Sequence, residues 1–160
     1  MGDFRRVSVD PQKTPNTLFT EYSMPAYDNN KTPNIVLGST IHSNRLQIGD
    51  NVLLINKLNV RQKRVWYVKR SGNNAVSSSE FMPFTSESLK LSFLKQLLLS
   101  DKSTKFMENI SSGTSNSQKR ITPLDISNYL IEKPTDAREQ DKIGDFFETL
   151  DNLITVNQDK

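Results

Sequence analysis

The first half of the chain has the hydrophobic pattern of β-strands. Short segments rich in β-branched and aromatic residues are separated by turns of Gly, Asn, Asp and Pro, which is typical of a sheet. The run VLLI at 52–55 is continuously apolar and predicts a strand that is buried on both faces. Turns are predicted at 27–33 and 71–74. The predicted strands cover residues 19–26, 35–41, 51–55, 64–68 and 75–84.

The second half changes to helical spacing. Between Ser86 and Leu99 apolar residues recur every three or four positions, which predicts an amphipathic helix capped by Ser86. Asp101 is predicted to cap a second short helix. A turn and a strand are predicted at 121–131, ended by Pro134. The pattern predicts an α+β fold, a small mixed or antiparallel β-sheet with two short helices packed on it and a C-terminal helix.

The C-terminal helix combines a cap with an apolar stripe. Asp136 is predicted to cap it, with Glu139 three residues further on. The stripe resembles a coiled-coil seam, and it fits either a partner helix or the core of this domain. Acidic residues lie off the stripe and are expected to make the exposed side acidic, so this helix should face protein rather than DNA; they are Asp141, Asp145, Glu148 and Asp151. The candidate partner-helix interface is Ile143, Phe146, Phe147, Leu150, Leu153 and Ile154.

Composition excludes several kinds of chemistry. A chain of 160 residues with 34% hydrophobic residues predicts one domain with a modest core. Without cysteine there are no disulfides or thiolate sites, and the single histidine, His42, makes a His-based zinc site or a Ser-His triad hard to build. No apolar run reaches membrane-spanning length, so a cytoplasmic protein is expected. Motifs for dinucleotides, P-loop phosphates or methyl transfer are missing, and we expect no enzyme activity from this chain alone.

Charge is distributed unevenly although the net charge is only +3. Residues 45–70 contain seven basic residues and one acidic residue, whereas residues 132–160 contain eight acidic and four basic residues. This asymmetry predicts two faces with different partners, one of them a polyanion. Ordinary surface charge is the alternative interpretation.

Three polar loops carry side chains that suit DNA. Lys and Arg can neutralise phosphates, while Asn, Gln and Arg can form paired hydrogen bonds with base edges. Gly113 would allow a ligand to approach the backbone of the third loop closely. A solvated hairpin tip and a flexible linker are the alternatives for the first and third loops. The candidate DNA-binding residues are Lys57, Asn59, Arg61, Lys63 and Arg64 in the first loop, Asn73 and Asn74 in the second, and Ser115, Asn116, Gln118, Lys119 and Arg120 in the third.

Five segments occur in an order that points to a family. They are FTEYSMPAYD (19–28), GDNVLLINKLN (49–59), VSSSEF (76–81), SGTSNSQKRI (112–121) and EQDKIGDFFETLDNLI (139–154). Together they resemble one target-recognition domain of a type I restriction–modification specificity (S) subunit, and the last segment is similar to the start of the family's spacer helix. The resemblance covers nearly the whole chain. The division expected from it is a leader or linker at 1–17, a DNA target-recognition domain at 18–134 and the start of the spacer helix at 135–160.

The resemblance implies a sequence-specific DNA-binding subunit without an active site. Methyltransferase (M) subunits would transfer methyl groups from S-adenosylmethionine to adenine N6, and a motor-nuclease (R) subunit would cleave unmodified DNA. The chain itself is expected to hold no cofactor, because S-adenosylmethionine, ATP and Mg²⁺ belong to the partner subunits. The DNA-reading residues vary within the family, so the loop residues above rest on position and chemistry.

The family pattern also raises the question of stoichiometry. A full specificity subunit has two recognition domains joined by long antiparallel helices, whereas this chain has one such domain. The sequence fits a half-subunit that pairs with itself, a truncated gene or an excised fragment. The partner expected for it is a second copy or a second recognition domain. Two alternatives remain open: a recognition-domain fragment of a single-chain restriction–methylation enzyme, and a helix-docking regulator of a methyltransferase that does not read DNA.

Overall fold

Two β-sheets and a layer of helices form the structure, a computed structural model that describes residues 2–115, 118–129 and 134–158. The predicted α+β class is confirmed. The strands are β1 (Asp3–Phe4), β2 (Ser8–Val9), β3 (Leu18–Tyr22), β4 (Asn34–Leu37), β5 (Arg45–Gln47), β6 (Val52–Asn56), β7 (Val65–Val68), β8 (Ala75–Ser78) and β9 (Phe81–Thr85). The α-helices are α1 (Met24–Asn30), α2 (Leu91–Leu99), α3 (Asp101–Ile110), α4 (Pro123–Ser127) and α5 (Ala137–Gln158).

The strands divide into two sheets rather than the single small sheet expected. The first sheet is antiparallel and has the order β1-β9-β6-β7. The second has the order β2-β5-β8-β3-β4 and is mixed, because β3 and β8 run parallel. The extended stretch predicted at 75–84 contributes to both, since β8 lies in the second sheet and β9 in the first. One predicted strand therefore links the two sheets.

Strand β6 lies at the centre of this arrangement and is buried along its whole length, as the sequence predicts. Leu53 and Ile55 point toward the helices and pack with apolar residues of α2. Val52 and Leu54 point the other way, into the core between the two sheets. Successive side chains of a strand alternate between faces, so β6 can hold a helix layer and a second sheet at once.

Trp66 of β7 fills much of the core between the sheets. Its ring lies 4.8 Å from that of Tyr22, 5.6 Å from Tyr27 and 6.5 Å from Phe81, measured between ring centroids and in edge-on orientations. Edge-to-face aromatic pairs of this kind stabilise a core by about 0.5–1.5 kcal/mol each beyond the area they bury. Strands of both sheets are therefore joined by one aromatic cluster.

The turn predicted at 27–33 is wrong for most of its length, because helix α1 occupies residues 24–30. The hydroxyl of Ser23 accepts a hydrogen bond from the Ala26 N–H, and Pro25 lies in the first turn, where its missing N–H costs nothing. Lys31 ends the helix in the left-handed conformation. Tyr27 packs on Trp66, and this tertiary contact outweighs the turn-forming residues that follow it.

Helix α2 begins at Leu91, four residues later than predicted. Ser86 does accept a hydrogen bond from the Leu89 N–H at 3.1 Å, but this closes a turn before the helix. The capping position belongs to Lys90, whose own side chain makes no capping hydrogen bond. Its backbone N–H instead donates to the side-chain oxygen of Gln140 on α5 at 3.1 Å. A residue distant in the chain therefore fixes this helix start.

The predicted cap of α3 and the predicted strand after it also differ from the structure. Ser100, not Asp101, is the cap, because its hydroxyl accepts from the Ser103 N–H. Residues 123–127 form helix α4, where Thr122 and Asp125 make a reciprocal capping box. The last part of the strand predicted at 121–131 lies outside the described residues.

The first 17 residues, expected to form a leader or linker, include two strands within the described part. Strand β1 pairs with β9 of the first sheet, and β2 pairs with β5 of the second. A 3-10 helix follows at Pro11–Lys13, capped by Asp10. Strands β1 and β2 have two residues each, which is too short to show strand periodicity in the sequence. The strands that they pair with come later in the chain.

Helix α5 docks on α2 through its polar face. Gln140 is 2% exposed, and its amide donates to the Pro134 carbonyl at 2.8 Å while its oxygen accepts from Lys90. Gly144 is buried directly against Ser92 at the start of α2. Because a glycine lacks a side chain, the two helices approach closely at this point.

Three of the four acidic residues of α5 contact side chains of the domain, although Asp151 is exposed and the Asp141 side chain keeps 48% exposure. The predicted acidic side is therefore exposed in part and is also used to hold the helix on the domain. Asp145 alone of the four makes no ion pair or side-chain hydrogen bond with the described residues and is exposed. The apolar stripe lies on a different side of the helix and is largely exposed. The three contacts are Lys69–Glu148 at 3.1 Å, Lys90–Asp141 at 3.1 Å and Gln96–Asp151 at 3.3 Å.

The close approach at Gly144 predicts the effect of a single methyl group. In Gly144→Ala the new Cβ would lie 2.5 Å from the Ser92 Oγ, 2.8 Å from the Ser92 Cβ and 3.0 Å from the Phe93 N. Alanine normally stabilises a helix interior by about 0.5–1 kcal/mol relative to glycine. The crowding against Ser92 and the Phe93 backbone outweighs this gain. We therefore expect the free energy of unfolding of Gly144→Ala, measured by urea titration, to be lower than that of the wild type by about 1–3 kcal/mol.

Gly49→Ala is the matched control, because nothing lies within 4 Å of a Cβ at Gly49. That variant should change the free energy of unfolding by less than about 1 kcal/mol. Equal stability of Gly144→Ala and the wild type would contradict the tight packing of α5 on α2.

Candidate nucleic-acid interface

The first and third predicted DNA-binding loops lie side by side. The Asn59 N–H donates to the Lys119 carbonyl at 3.1 Å, and the Ile121 N–H donates to the Lys57 carbonyl at 3.0 Å. An antiparallel bridge joins Leu58 to residue 120. The bonded residues are about 60 positions apart in the chain, and backbone hydrogen bonds join the two loops into one surface, which we call the paired-loop surface (residues 57–64, 111–115 and 118–120).

Two cations of the first loop are held by carboxylates of α3. Arg61 forms an ion pair with Glu108, and the Lys63 Nζ lies 2.5 Å from the Asp101 Oδ1. The Arg61 and Asp101 side chains remain 58% and 88% exposed, so solvent screens both pairs. A phosphate could replace either carboxylate with little loss, because exposed ion pairs are weak.

Arg64 is held more firmly than its neighbours. Its guanidinium donates to both carboxylate oxygens of Asp28, at 2.8 and 2.7 Å, and its side chain is 15% exposed. The hydrogen bond from Arg64 holds the pKa of Asp28 below its ordinary value of 3.8, and the same contact raises the pKa of Arg64. Such paired geometry suits a carboxylate as well as it suits a base edge. Arg64 thus ties the first loop to α1.

The third loop carries one cation in an ion pair, Arg120, and one, Lys119, that has no ion pair with the residues that the structure describes. Arg120 forms an ion pair with Glu80, and both side chains keep some exposure. Lys119 is half-buried and lines a small cleft of about 150 Å³ beside Asn59. The Gln118 side chain accepts from the Thr114 hydroxyl at 3.3 Å.

The third loop closes on itself through Ser115 and Gly113. The Ser115 carbonyl accepts from the backbone of the two residues that close the loop, 118 and 119. Asn116 lies outside the described residues. Gly113 has a φ of +144°, and a Cβ there would lie 2.9 Å from the Gln118 carbonyl oxygen. Glycine at this position therefore serves the close packing of the loop on itself.

Lys57 lies where the paired-loop surface meets the turn between β8 and β9. Its ammonium donates to the Ser79 carbonyl at 2.7 Å. Burial lowers the pKa of Lys57, the charge of Glu80 opposes this shift, and the positive charges of Arg6 and Arg120 lower the pKa further. Two further positive charges and one carboxylate therefore act on the Lys57 ammonium within the described residues, and this excess of positive charge favours an added anion.

The second predicted loop does not join the other two. Strand β7 runs between them, with the first loop before it and residues 71–74 after it. The Asn73 carbonyl accepts from the Thr20 hydroxyl at 2.9 Å, and the Asn74 amide donates to the Leu18 carbonyl at 3.0 Å. The amide group of Asn74 is thus used to hold the turn on β3. DNA contact by these two asparagines stays a prediction for a separate part of the surface.

The apolar stripe of α5 is the second candidate site. The exposed fractions are 60% for Phe146, 55% for Leu153 and 55% for Ile154, while Phe147 and Leu150 are also exposed. The remaining predicted residue, Ile143, is half-buried. Large apolar side chains grouped along one helix rarely stay in water, so the stripe has the character of a helix-docking surface. The alternative that this stripe packs on the domain's own core is wrong.

Sequence reasoning missed residues that the structure brings to the interface. Glu80 belongs to none of the three predicted loops, and it pairs with Arg120. Arg6 falls in the expected leader and lies near Lys57. The adjacent pair Arg5-Arg6 was a usable signal of positive charge, whereas the role of Glu80 depends on a strand turn that only the fold positions.

Neither a metal-binding group nor a membrane-spanning helix is found within the described ranges. No group of three or more His, Cys, Asp or Glu residues could hold a metal ion among residues 2–115, 118–129 and 134–158. In the same part of the chain, no helix is both long enough and apolar enough to cross a membrane.

Comparison with known proteins identifies the fold. No protein-family model matches the chain, and no curated protein matches it significantly. A chain from a type I R-M system, solved for its complex assembly and conformational transition, matches 99% of this chain with a TM-score of 0.77 and 20% identity. The HsdS subunit from Thermoanaerobacter tengcongensis matches 96% with a TM-score of 0.73 and 23% identity.

These matches define an HsdS-like fold, the fold of a type I restriction–modification specificity subunit. The resemblance predicted from the five sequence segments is confirmed at the level of the fold. This chain spans 44% and 41% of the length of the two matched chains.

The Asp28–Arg64 pair predicts how stability depends on acid. Asp28 binds a proton less tightly in the folded chain than in the unfolded chain, because its pKa is lowered by Arg64. The pair therefore stabilises the fold above pH 3.8, the ordinary pKa of the carboxyl, and this contribution is lost as the pH falls through the lower folded pKa. Asp28→Asn should reduce the acid dependence of the free energy of unfolding, measured by urea titration at a series of pH values.

Asp145→Asn is the control for loss of one exposed carboxylate on the same domain. It should preserve the acid dependence of the wild type. An unchanged acid dependence in Asp28→Asn would show that the ion pair contributes nothing to folding.

Proposed function

We propose that this chain is the DNA target-recognition domain of a type I restriction–modification specificity subunit. It directs adenine-N6 methylation and restriction by partner subunits and catalyses neither reaction itself. The observation that carries the proposal is the fold match over 99% of the chain. Since the chain spans less than half of each matched chain, a second recognition domain or a second copy is part of the proposal.

The paired-loop surface is the proposed DNA contact. Lys57, Arg61, Lys63, Lys119 and Arg120 supply positive charge along two loops that are fixed by backbone hydrogen bonds. Phosphate contacts of this kind release counterions, so affinity should fall steeply with salt concentration. Asn59, Gln118 and the arginines carry the groups for reading base edges. The nearby carboxylates occupy the cations until phosphates replace them.

The apolar stripe of α5 is the proposed partner surface. It fits a second long helix in a coiled coil, either from another recognition domain or from a second copy. Methyltransferase subunits would bind this helical region, and the motor-nuclease subunit would join through them. S-adenosylmethionine, ATP and Mg²⁺ would be held by those partners, and the complex would act in the cytoplasm, where the DNA is.

A second candidate function is favoured by the ion pairs of the first loop. Arg61, Lys63 and Arg64 each contact a carboxylate of this chain, which lowers the positive charge available for DNA. A regulator that docks on a methyltransferase through α5 without reading DNA would have this arrangement. Salt-dependent DNA binding separates the two functions, because only the recognition domain requires it.

The decisive experiment is co-expression with the adenine-N6 methyltransferase subunit of the same system, followed by modification-sensitive sequencing of host DNA. A split or palindromic methylation motif that is lost when residues 111–120 are replaced would support the recognition function. A stable complex without methylation would favour the regulator. If no complex forms and no methylation is detected, both functions are contradicted.

Arg120→Ala tests the paired-loop surface. Loss of this guanidinium should weaken specific DNA binding of the methyltransferase complex by more than ~1 kcal/mol, measured by fluorescence anisotropy. Lys13→Ala is the control, because Lys13 is an exposed cation on the 3-10 helix at Pro11–Lys13. Wild-type affinity in Arg120→Ala would remove the third loop from the interface.

Leu150→Asp tests the helix-docking surface. A charge placed in the middle of the stripe would have to be buried without a partner, so assembly with the methyltransferase subunit or a second copy should fall at least tenfold, by about 1.4 kcal/mol or more. Asn152→Asp adds the same charge on an exposed residue off the stripe and should assemble normally. Sedimentation velocity of each mixture measures the outcome, and equal assembly of both variants would rule out this surface.

A further inference from the structure

The segment between β1 and β2 is held rigidly at both sides of Arg6. The Arg5 N–H donates to the Pro83 carbonyl of β9 at 3.0 Å, which fastens one side to the first sheet. The Val7 carbonyl accepts from the Gln47 N–H of β5 at 2.8 Å, which fastens the other side to the second sheet. Arg6 lies between these two hydrogen bonds, so its backbone position is defined although its side chain is exposed.

A groove of about 220 Å³ lies beneath this segment. Arg5, Arg6 and Lys57 line it, and the rest of its wall is apolar. Sites that enclose a free small molecule usually measure about 300–1,000 Å³. A smaller open groove suits one part of a larger ligand. The apolar lining residues are Phe4, Leu46, Phe81, Met82, Pro83 and Pro123.

Arg6 and Lys57 line one part of this groove, and Arg120 lies next to Lys57 in the chain pairing, across the bridge between Leu58 and Arg120. Arg6 and Arg120 are near enough to Lys57 for their charges to act on its ammonium, and Glu80 is the one carboxylate that acts on it among the described residues. Lys57 uses one hydrogen bond on the Ser79 carbonyl, and an ammonium has three donors. Arg6 has no side-chain partner within the described part of the chain. Unused donors and excess positive charge therefore face the same groove.

We propose that Arg6 forms, with Lys57 and Arg120, a clamp for the sugar–phosphate backbone of DNA. The cations hold a phosphate, and the apolar wall packs against the adjoining deoxyribose carbons. This deepens the proposed function and rests on it, because the clamp extends the paired-loop surface onto the first strands of the domain. Arg6 is a positioning residue that fixes the register of the duplex and reads no base.

The chemistry of the groove favours DNA backbone over an acidic protein segment. A phosphate diester presents two oxygens beside a carbon ring, which matches guanidinium donors next to an apolar wall. A carboxylate side chain brings no such ring. The Arg120–Glu80 ion pair also places a carboxylate where a phosphate would bind, so DNA can take over an existing contact.

The salt dependence of DNA binding tests the clamp. The probe is a short synthetic duplex of arbitrary sequence, titrated with the full chain in complex with its methyltransferase subunit. One lost phosphate contact should weaken binding roughly fivefold at about 0.15 M salt and reduce the slope of log K against log salt by about 1. We expect this result for Arg6→Ala.

Two variants control for charge and for folding. Arg6→Lys keeps a point charge and should keep most of the slope. Lys13→Ala removes an exposed cation that does not line the groove and should leave the slope unchanged. The thermal midpoint of Arg6→Ala should equal that of the wild type, because the side chain has no partner within the described residues.

The outcomes separate the clamp from the proposed function. If the wild-type complex does not bind the duplex, both the recognition function and the clamp fail. If the wild type binds and Arg6→Ala behaves like Lys13→Ala, the clamp alone is wrong. If Arg6→Ala weakens assembly with the methyltransferase subunit while duplex binding by the assembled complex is unchanged, the groove takes an acidic protein segment and the clamp is overturned.

Discussion

The burial of β6 on both faces is the constraint on which the other elements depend. A strand with apolar side chains on both sides must be covered twice, by helices on one side and by a second sheet on the other. Leu53 and Ile55 require the helix layer, whereas Val52 and Leu54 require the sheet that carries Tyr22. The loops before and after this strand are placed by that double packing, and the first of the predicted DNA-binding loops is one of them.

Competition between carboxylates and phosphates governs the proposed interface. Three cations of the paired-loop surface are in ion pairs, because Glu80, Asp101 and Glu108 each contact one of them. Exposed ion pairs are weak, so a polyanion that offers several phosphates at once can replace them. Isolated anions lack this advantage. The carboxylates therefore weaken binding of any anion to the proposed interface. A DNA backbone with several phosphates can still displace them, whereas a single anion cannot.

Helix α5 carries two surfaces with separate purposes. Its polar and small residues, including Gln140 and Gly144, fix it to α2, and two of its acidic residues contact lysines of the same domain. The apolar residues remain exposed, opposite to the usual arrangement of a surface helix. Because the inward face already satisfies its hydrogen bonds and charges, the outward stripe can meet another helix without disturbing the domain. The domain therefore links the proposed DNA-contact loops rigidly to the exposed apolar stripe.

The sequence alone determined the α+β class, the buried strand at 51–55, the apolar stripe and the family whose fold the chain shares, because these depend on local periodicity and on motifs. Tertiary structure alone decided which loops meet, which carboxylates hold the cations and which side of α5 faces solvent. The first 17 residues show why: two-residue strands have no periodicity, and their partners lie 36 to 82 positions away. For the same reason, the sequence did not predict that Glu80 and Arg6 belong to the proposed interface, since contacts between distant segments leave no local pattern.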